Sequence, residues 1–187
     1  GHDLRRFPAT VDAIRRRQTR KTGEAHIQLM TEELEEAGAH PDAIPDRRLA
    51  LMFACAHPDI ETGMRAPLIL QTILGLTATD IAAAFLIPPS TMGQRLVRAK
   101  ARIRDAGIPF AIPERAELAE RLDAVLAAIY AAYAKGWTEI GDAAAERLAD
   151  EAIWLGRLVV SLLPEEPESK GMLALMLYAE ARRSARR

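Results

Sequence analysis

The sequence predicts an all-α protein, and three observations lead there. Apolar residues recur with the 3.6-residue period through most of the chain, and alternating β-branched runs are absent. Ala, Leu, Arg and Glu, all strong helix formers, are abundant. The 187 residues are 49% hydrophobic and 27% charged, which is the composition of a folding chain rather than a disordered one.

The elements follow in order. A basic helix is expected from about Pro8 to Gln18 and an acidic one from about Ala25 to Ala37, closed by Gly38. After a loop at Pro41 to Pro45, a helix over Asp46 to Ala56 places Leu49, Met52, Phe53 and Ala56 on one face. It stops at His57-Pro58, because the residue before a proline avoids the helical region. A further helix spans Glu61 to Leu74 and ends at Gly75. Thr77 then caps a short helix, with Asp80 at the third position and Ile81, Ala82 and Phe85 on its buried side. A tight connection at Leu86 to Pro88 leads into a longer helix, Pro89 to Ala106, stopped by Gly107.

Residues 108–113 carry two prolines and read as a stiff linker. Beyond it, Leu118, Leu122, Val125, Ile129 and Tyr133 form one apolar set, ended by Lys135-Gly136. Leu148, Ala152, Leu155, Val159 and Leu162 form a second, stopped by Pro164, and Met172, Leu175, Met176 and Ala179 a third. Alanine pairs such as Ala127-Ala128 leave narrow helix surfaces, suited to closely packed hairpins. Four segments are therefore expected: the basic and acidic helices over 1–39, a helix-turn-helix domain over 40–107, the linker 108–113, and a helical extension over 114–187.

The net charge of -1 hides opposite blocks. Residues 1–21 hold seven bases and two acids, and residues 92–104 hold five bases and no acid, whereas 105–170 hold six bases and thirteen acids. The second basic block lies on one helix, so it forms a local positive stripe of the kind that contacts phosphates. The alternative is a solvated helix face.

The surroundings favour a nucleic-acid surface. A short capped helix, a tight turn and a second helix are what let one helix cross a DNA backbone while the other enters the major groove. Met92, Leu96, Ala99 and Ile103 make one apolar stripe on the second helix, which turns Ser90, Gln94 and Arg98 outward. Thr91, Arg95 and Arg102 flank that face on one side, and Lys100 and Arg104 on the other. Gln and Arg make bidentate base contacts, while Ser, Thr, Lys and Arg hold phosphates. The expected DNA-binding set is Ser90, Thr91, Gln94, Arg95, Arg98, Lys100 and Arg102.

These residues also carry a resemblance. Leu76-Thr77, Asp80-Ile81-Ala82, Thr91-Met92, Arg95-Leu96 and Arg98-Ala99 resemble region 4 of the sigma70 superfamily, in the extracytoplasmic-function group of RNA polymerase sigma factors. Ile44-Pro45-Asp46 through Arg48-Leu49, Phe53, Cys55 and His57-Pro58 resemble the subset that carries a C-terminal extension related to tetratricopeptide repeats. So do Gln94 to Lys100 with Ile103-Arg104, and Gly107-Ile108-Pro109-Phe110. In the extension, Leu126, Tyr130, Gly136-Trp137, Glu151-Ala152, Leu155-Gly156-Arg157 and Leu173 to Leu177 match, so that the resemblance covers about residues 40 to 183. It implies a helix-turn-helix that reads the upstream (-35) promoter element while its rim touches core RNA polymerase, with no catalysis and no cofactor.

At the N-terminus the pattern departs from the family. Only Val11 to Ile14 with Arg15-Arg16-Arg17 matches the last turn of the promoter-melting region 2, and both tryptophans, Trp137 and Trp154, fall in the C-terminal part. The expectation is a fragment, or a protein that lost region 2.

Other residues suggest less. Cys55 and His57 lie two apart, on different faces of a helix, so Cys55 reads as a small core hydrophobe rather than a metal ligand. Glu32, Glu33, Glu35 and Glu36 read as a solvated face, and Tyr130, Tyr133, Trp137 and Trp154 as core packing. One cysteine excludes disulfide and zinc-finger scaffolds. No apolar run approaches a membrane span and no secretory signal is recognisable, so a cytoplasmic protein is expected. No nucleophile-base pair, phosphate loop or metal cluster suggests an enzyme. The expected partners are promoter DNA and core RNA polymerase. A second role for the acidic extension is to hold a regulatory protein or to fold back on the basic helix.

Overall fold

The computed structural model describes residues 44–139 and 141–183, which belong to one compact unit. The helices expected at Pro8 to Gln18 and Ala25 to Ala37, and the segment 1–39, lie outside the described residues. Among the described residues the fold is all-helical, without a strand. The order is α1 (Arg47–Cys55), α2 (Thr62–Thr72), α3 (Ala78–Ala84), α4 (Pro89–Asp105), a 3-10 turn (Arg115–Glu117), α5 (Leu118–Thr138), α6 (Ala143–Leu162) and α7 (Pro167–Ala181).

Each boundary has a local cause. Asp46 caps α1 by accepting from the Leu49 N–H at 2.9 Å. The α1 residues from Leu49 to Cys55 are all buried, so this short helix is enclosed by its neighbours. At the start of α3 the Thr77 hydroxyl accepts from Asp80 N–H at 3.2 Å, and the Asp80 carboxylate accepts from Thr77 N–H at 3.0 Å. That reciprocal pair satisfies two donors the helix end would leave unpaired. Asp142 caps α6 through the Ala144 N–H at 2.7 Å.

Two helices end in the same backbone motif with different residues. After α4, Ile108 N–H bonds Ile103 O and Gly107 N–H bonds Arg104 O, both at 3.1 Å, with Gly107 at φ 62. After α3, Ile87 N–H bonds Ala82 O at 3.0 Å and Leu86 N–H bonds Ala83 O at 3.3 Å, with Leu86 at φ 55. Both are the Schellman ending, whose left-handed position favours glycine. Leucine occupies that position in the second case, 92% exposed.

The core is continuous from α1 to α7. The long helix α5 packs against α1, α2 and α3 on one side and against α6 and α7 on the other. It is buried along much of its circumference, from Leu118, Leu122 and Val125 to Ala128, Ile129, Ala132 and Tyr133. Arg121, only 4% exposed, donates from Nη1 to Phe53 O near the C-terminal end of α1 at 3.3 Å and from Nη2 to Glu117 at 2.7 Å. Arg48 pairs with Glu151 and lies 5.4 Å over the Trp154 ring, which ties α1 to α6. At the far end, Tyr133 Oη donates to Met176 O at 3.0 Å, and the buried Arg183 donates to Gly136 O at 2.7 Å.

Some sequence expectations are corrected. Lys135-Gly136 does not end α5, which runs on to Thr138. Gly136 is there because α6 comes too close for a side chain: an added Cβ would clash with Ala145 O and lie 2.7 Å from Ala149 N. Leu175 does not join the core of α7 but stands 52% exposed, while its neighbours Met172, Leu173 and Met176 make the inward contacts. Of the four rings expected in the core, Tyr133 is buried and Trp137 half-buried, but Tyr130 and Trp154 are exposed.

Two predictions follow from the packing. Gly136→Ala forces backbone apart and is expected to cost about 1–3 kcal/mol in urea unfolding. The same change at Gly63, where nothing lies within 4 Å of the new Cβ, costs nothing or stabilises slightly. Leu86→Gly relieves the left-handed leucine and is expected to raise stability by about 1 kcal/mol in the same assay.

Candidate nucleic-acid interface

The candidate surface is built on α4 and held by α3. Ile81 and Ala82 on α3 are buried along with Met92 and Leu96 on α4, and the two helices pack closely across the turn at residues 85–88. Pro89 starts α4 at a position where the absent N–H costs nothing. With Met92, Leu96 and Ile103 buried, helical geometry determines what the rest of α4 presents.

The seven expected residues are placed as follows. Ser90, Gln94 and Arg98 are exposed and point away from the core, while Thr91 is half-buried on the flank. Arg95 and Arg102 are exposed and lie beside Arg98, so three guanidinium groups form one stripe. Lys100 is exposed on the opposite flank, next to α1. Loss of water there holds its ammonium below the ordinary lysine value, and the nearby Cys55 partly offsets the effect. The structure therefore brings five of the seven onto an exposed strip, with Thr91 half-buried at its edge and Lys100 on the other flank.

No ion pair within the described fold occupies the charges on this strip. Among the described residues, Arg95, Arg98, Lys100 and Arg102 make no ion pair, whereas Arg48, Arg121, Lys135 and Arg183 each pair with a carboxylate elsewhere in the fold. Arg104 is the exception on α4, reaching Asp105 at 3.3 Å. Free guanidinium groups on one helix face are available to phosphates and base edges.

The arginine stripe forms one wall of a groove of about 330 Å³. Asp59, Glu61 and Met64 form the other, with Arg95, Arg98 and Arg102 facing them. Sequence reasoning missed this acidic wall, because Asp59 and Glu61 lie more than thirty positions from the stripe and no periodicity connects them. It also missed Val97, which stands 70% exposed among the polar groups of α4. The signal was present, since Val97 falls outside the 92, 96, 99, 103 stripe.

The extension positions α3. Lys135 near the end of α5 reaches Asp80 at 3.0 Å and Glu139 at 2.7 Å. The Thr77 hydroxyl, which donates to Asp80 at 2.6 Å, holds the Asp80 carboxyl below its usual range, and Lys135 adds to the effect. Helix α5 thus braces α3 from behind and leaves the outward face of α4 open.

Other chemistry is limited. Cys55 is buried, and burial pushes its thiol up to about 12. Among the described residues, no group of three His, Cys, Asp or Glu side chains is arranged to hold a metal ion, and no helix is long and apolar enough to cross a membrane.

Comparison with known proteins adds the following. Residues 121–187 match a family of unknown function, DUF6596, so the match begins within α5 and takes in α6 and α7. Over 186 residues, 94% of this chain, the sequence is 38% identical to an uncharacterised protein of Rhizobium meliloti (strain 1021). The chain spans 43% of that relative's length. No solved structure matches.

The capping geometry yields a pH prediction. A carboxyl whose folded pKa is depressed stabilises the fold above its unfolded value of about 3.9, and that contribution is lost as pH falls through the folded value. Asp80→Asn is expected to cost about 0.5–1 kcal/mol at pH 7. The difference from the unsubstituted chain shrinks below about pH 4, as read by urea titrations between pH 7 and pH 2.

Proposed function

We propose that this chain is the promoter-binding part of a transcription initiation factor of the sigma type, with α3 and α4 acting as a helix-turn-helix. In this reading α4 enters the major groove of upstream (-35) promoter DNA with Ser90, Gln94 and Arg98 toward the bases. Thr91, Arg95, Arg102 and Lys100 hold the flanking phosphates. The surrounding rim docks on core RNA polymerase, and α5 holds α3, on which α4 lies.

The observation that carries the reading is the unpaired arginine stripe on α4, set on a helix whose opposite side is anchored by Met92, Leu96 and Ile103. The motif order from Ile44 to Leu177 supports the same reading, because it runs through both the α3–α4 pair and the extension. No enzymatic role is proposed. The function of the longer relative's remaining length is not assigned to this chain.

Because α5 shares its core with α1 to α3, the test uses the whole chain. The expected result is capture by core RNA polymerase at low and moderate salt, together with binding to duplex promoter DNA. Arg95→Glu and Arg98→Glu are each expected to weaken duplex binding at least about fivefold and to lower the slope of log affinity against log salt by about one. Unchanged affinity and slope in both variants overturn the assignment of α4. Good duplex binding without polymerase capture converts the protein to a free-standing helix-turn-helix regulator.

A further inference from the structure

Val97 is placed against the local rules of its helix. It lies in the middle of α4, and at 70% exposure its isopropyl group buries little on folding. A β-branched residue also loses side-chain freedom in a helix, so Ala, Arg or Lys would suit an exposed interior position better. Local preference, packing and solvation all disfavour valine at this site. Conflicts of that kind concentrate at functional or strained sites, and the backbone of α4 around Val97 is ordinary helix.

The neighbours of Val97 say what partner a functional site here would take. Gln94 precedes it by one turn, Arg98 follows it, and Ala101 lies one turn beyond, so an amide, a methyl pair and a guanidinium project from one side of the helix. Three residues of helix rise about 4.5 Å, more than the ~3.4 Å spacing of stacked base pairs, so side chains at 94 and 97 are far enough apart to reach different pairs. A large partner protein surface would have to cover Arg95, Arg98 and Arg102, which line a groove with Asp59 and Glu61 but make no ion pair with them. A polyanion with apolar points in its groove satisfies both the arginines and the valine. In duplex DNA the major groove offers one such point, the 5-methyl group of thymine.

Resting on the DNA-binding reading above, we infer that Val97 is a specificity-determining residue that selects a thymine by packing its methyl groups on the base's 5-methyl group, beside the base or phosphate contacts of Gln94 and Arg98. The contact is apolar and short in reach. It therefore discriminates thymine from deoxyuracil, which pairs identically but lacks the methyl.

The test begins with selection of duplexes from a random-sequence library by the full chain, followed by replacement of each selected thymine, one at a time, with deoxyuridine. The expected result is one thymine at which deoxyuridine lowers affinity roughly fourfold, the equivalent of one buried methyl group. Val97→Ala lowers affinity for the thymine duplex by a similar factor and removes the sensitivity to deoxyuridine at that position, while its thermal unfolding matches the unsubstituted chain. Selected duplexes whose binding ignores every deoxyuridine replacement, or Val97→Ala that remains as sensitive as the original, overturn the inference and leave DNA binding intact. Failure to enrich any duplex overturns the DNA-binding reading itself, and the inference with it.

Discussion

The burial of α5 between two sets of helices is the constraint on which the rest of the structure depends. One side of this helix completes the core of α1 to α3 and the other receives α6 and α7, so it is buried over much of its circumference and keeps Glu120 and Asp123 on the remaining exposed strip. Arg121 is the telling exception among its buried residues. A buried guanidinium is costly unless its donors find partners, and here Nη1 meets the Phe53 carbonyl near the end of α1 and Nη2 the Glu117 carboxylate, while Nε is buried without one. The arginine also sits where the negative end of the α1 dipole favours a cation. Losing one partner of such a group costs far more than the pair contributes, which makes this junction intolerant of change.

The candidate interface inherits its geometry from that junction. α5 holds α2 and α3, Lys135 grips the cap of α3, and α3 in turn presents the apolar stripe on which α4 lies. The outward face of α4 is therefore specified by burial on its opposite side, not by contacts of its own. That separation leaves Arg95, Arg98 and Arg102 free of internal ion pairs while the fold remains complete without them. Acidic residues on Asp59 and Glu61's wall give the stripe a neighbour of opposite sign, and a polyanion approaching the groove must compete with it.

Much of this was legible from residue order. Thr77 and Asp80 announced the start of α3, Gly107 the end of α4, and the 92, 96, 99, 103 spacing the buried side of the basic helix. Those signals are local, within a turn or two of the backbone they govern. What could not be read was set by distant neighbours. Gly136 carries the usual mark of a helix end but is required by the backbone of α6, and Leu175 has the right spacing for a core that α7 does not turn toward. Leu86 occupies a position where glycine is expected, because the turn is imposed by the packing of α3 on α4 and not by the residue's own preference.

Cys55 turns the same architecture into a reporter. It is the chain's single thiol, it sits on α1 inside the shared core, and with its pKa pushed up to about 12 almost none of it is thiolate in the folded state at neutral pH. An alkylating reagent therefore reacts only with molecules in which that core has opened. The rate of labelling measures the opening equilibrium at the point where α1, α2 and α5 meet, without any added probe.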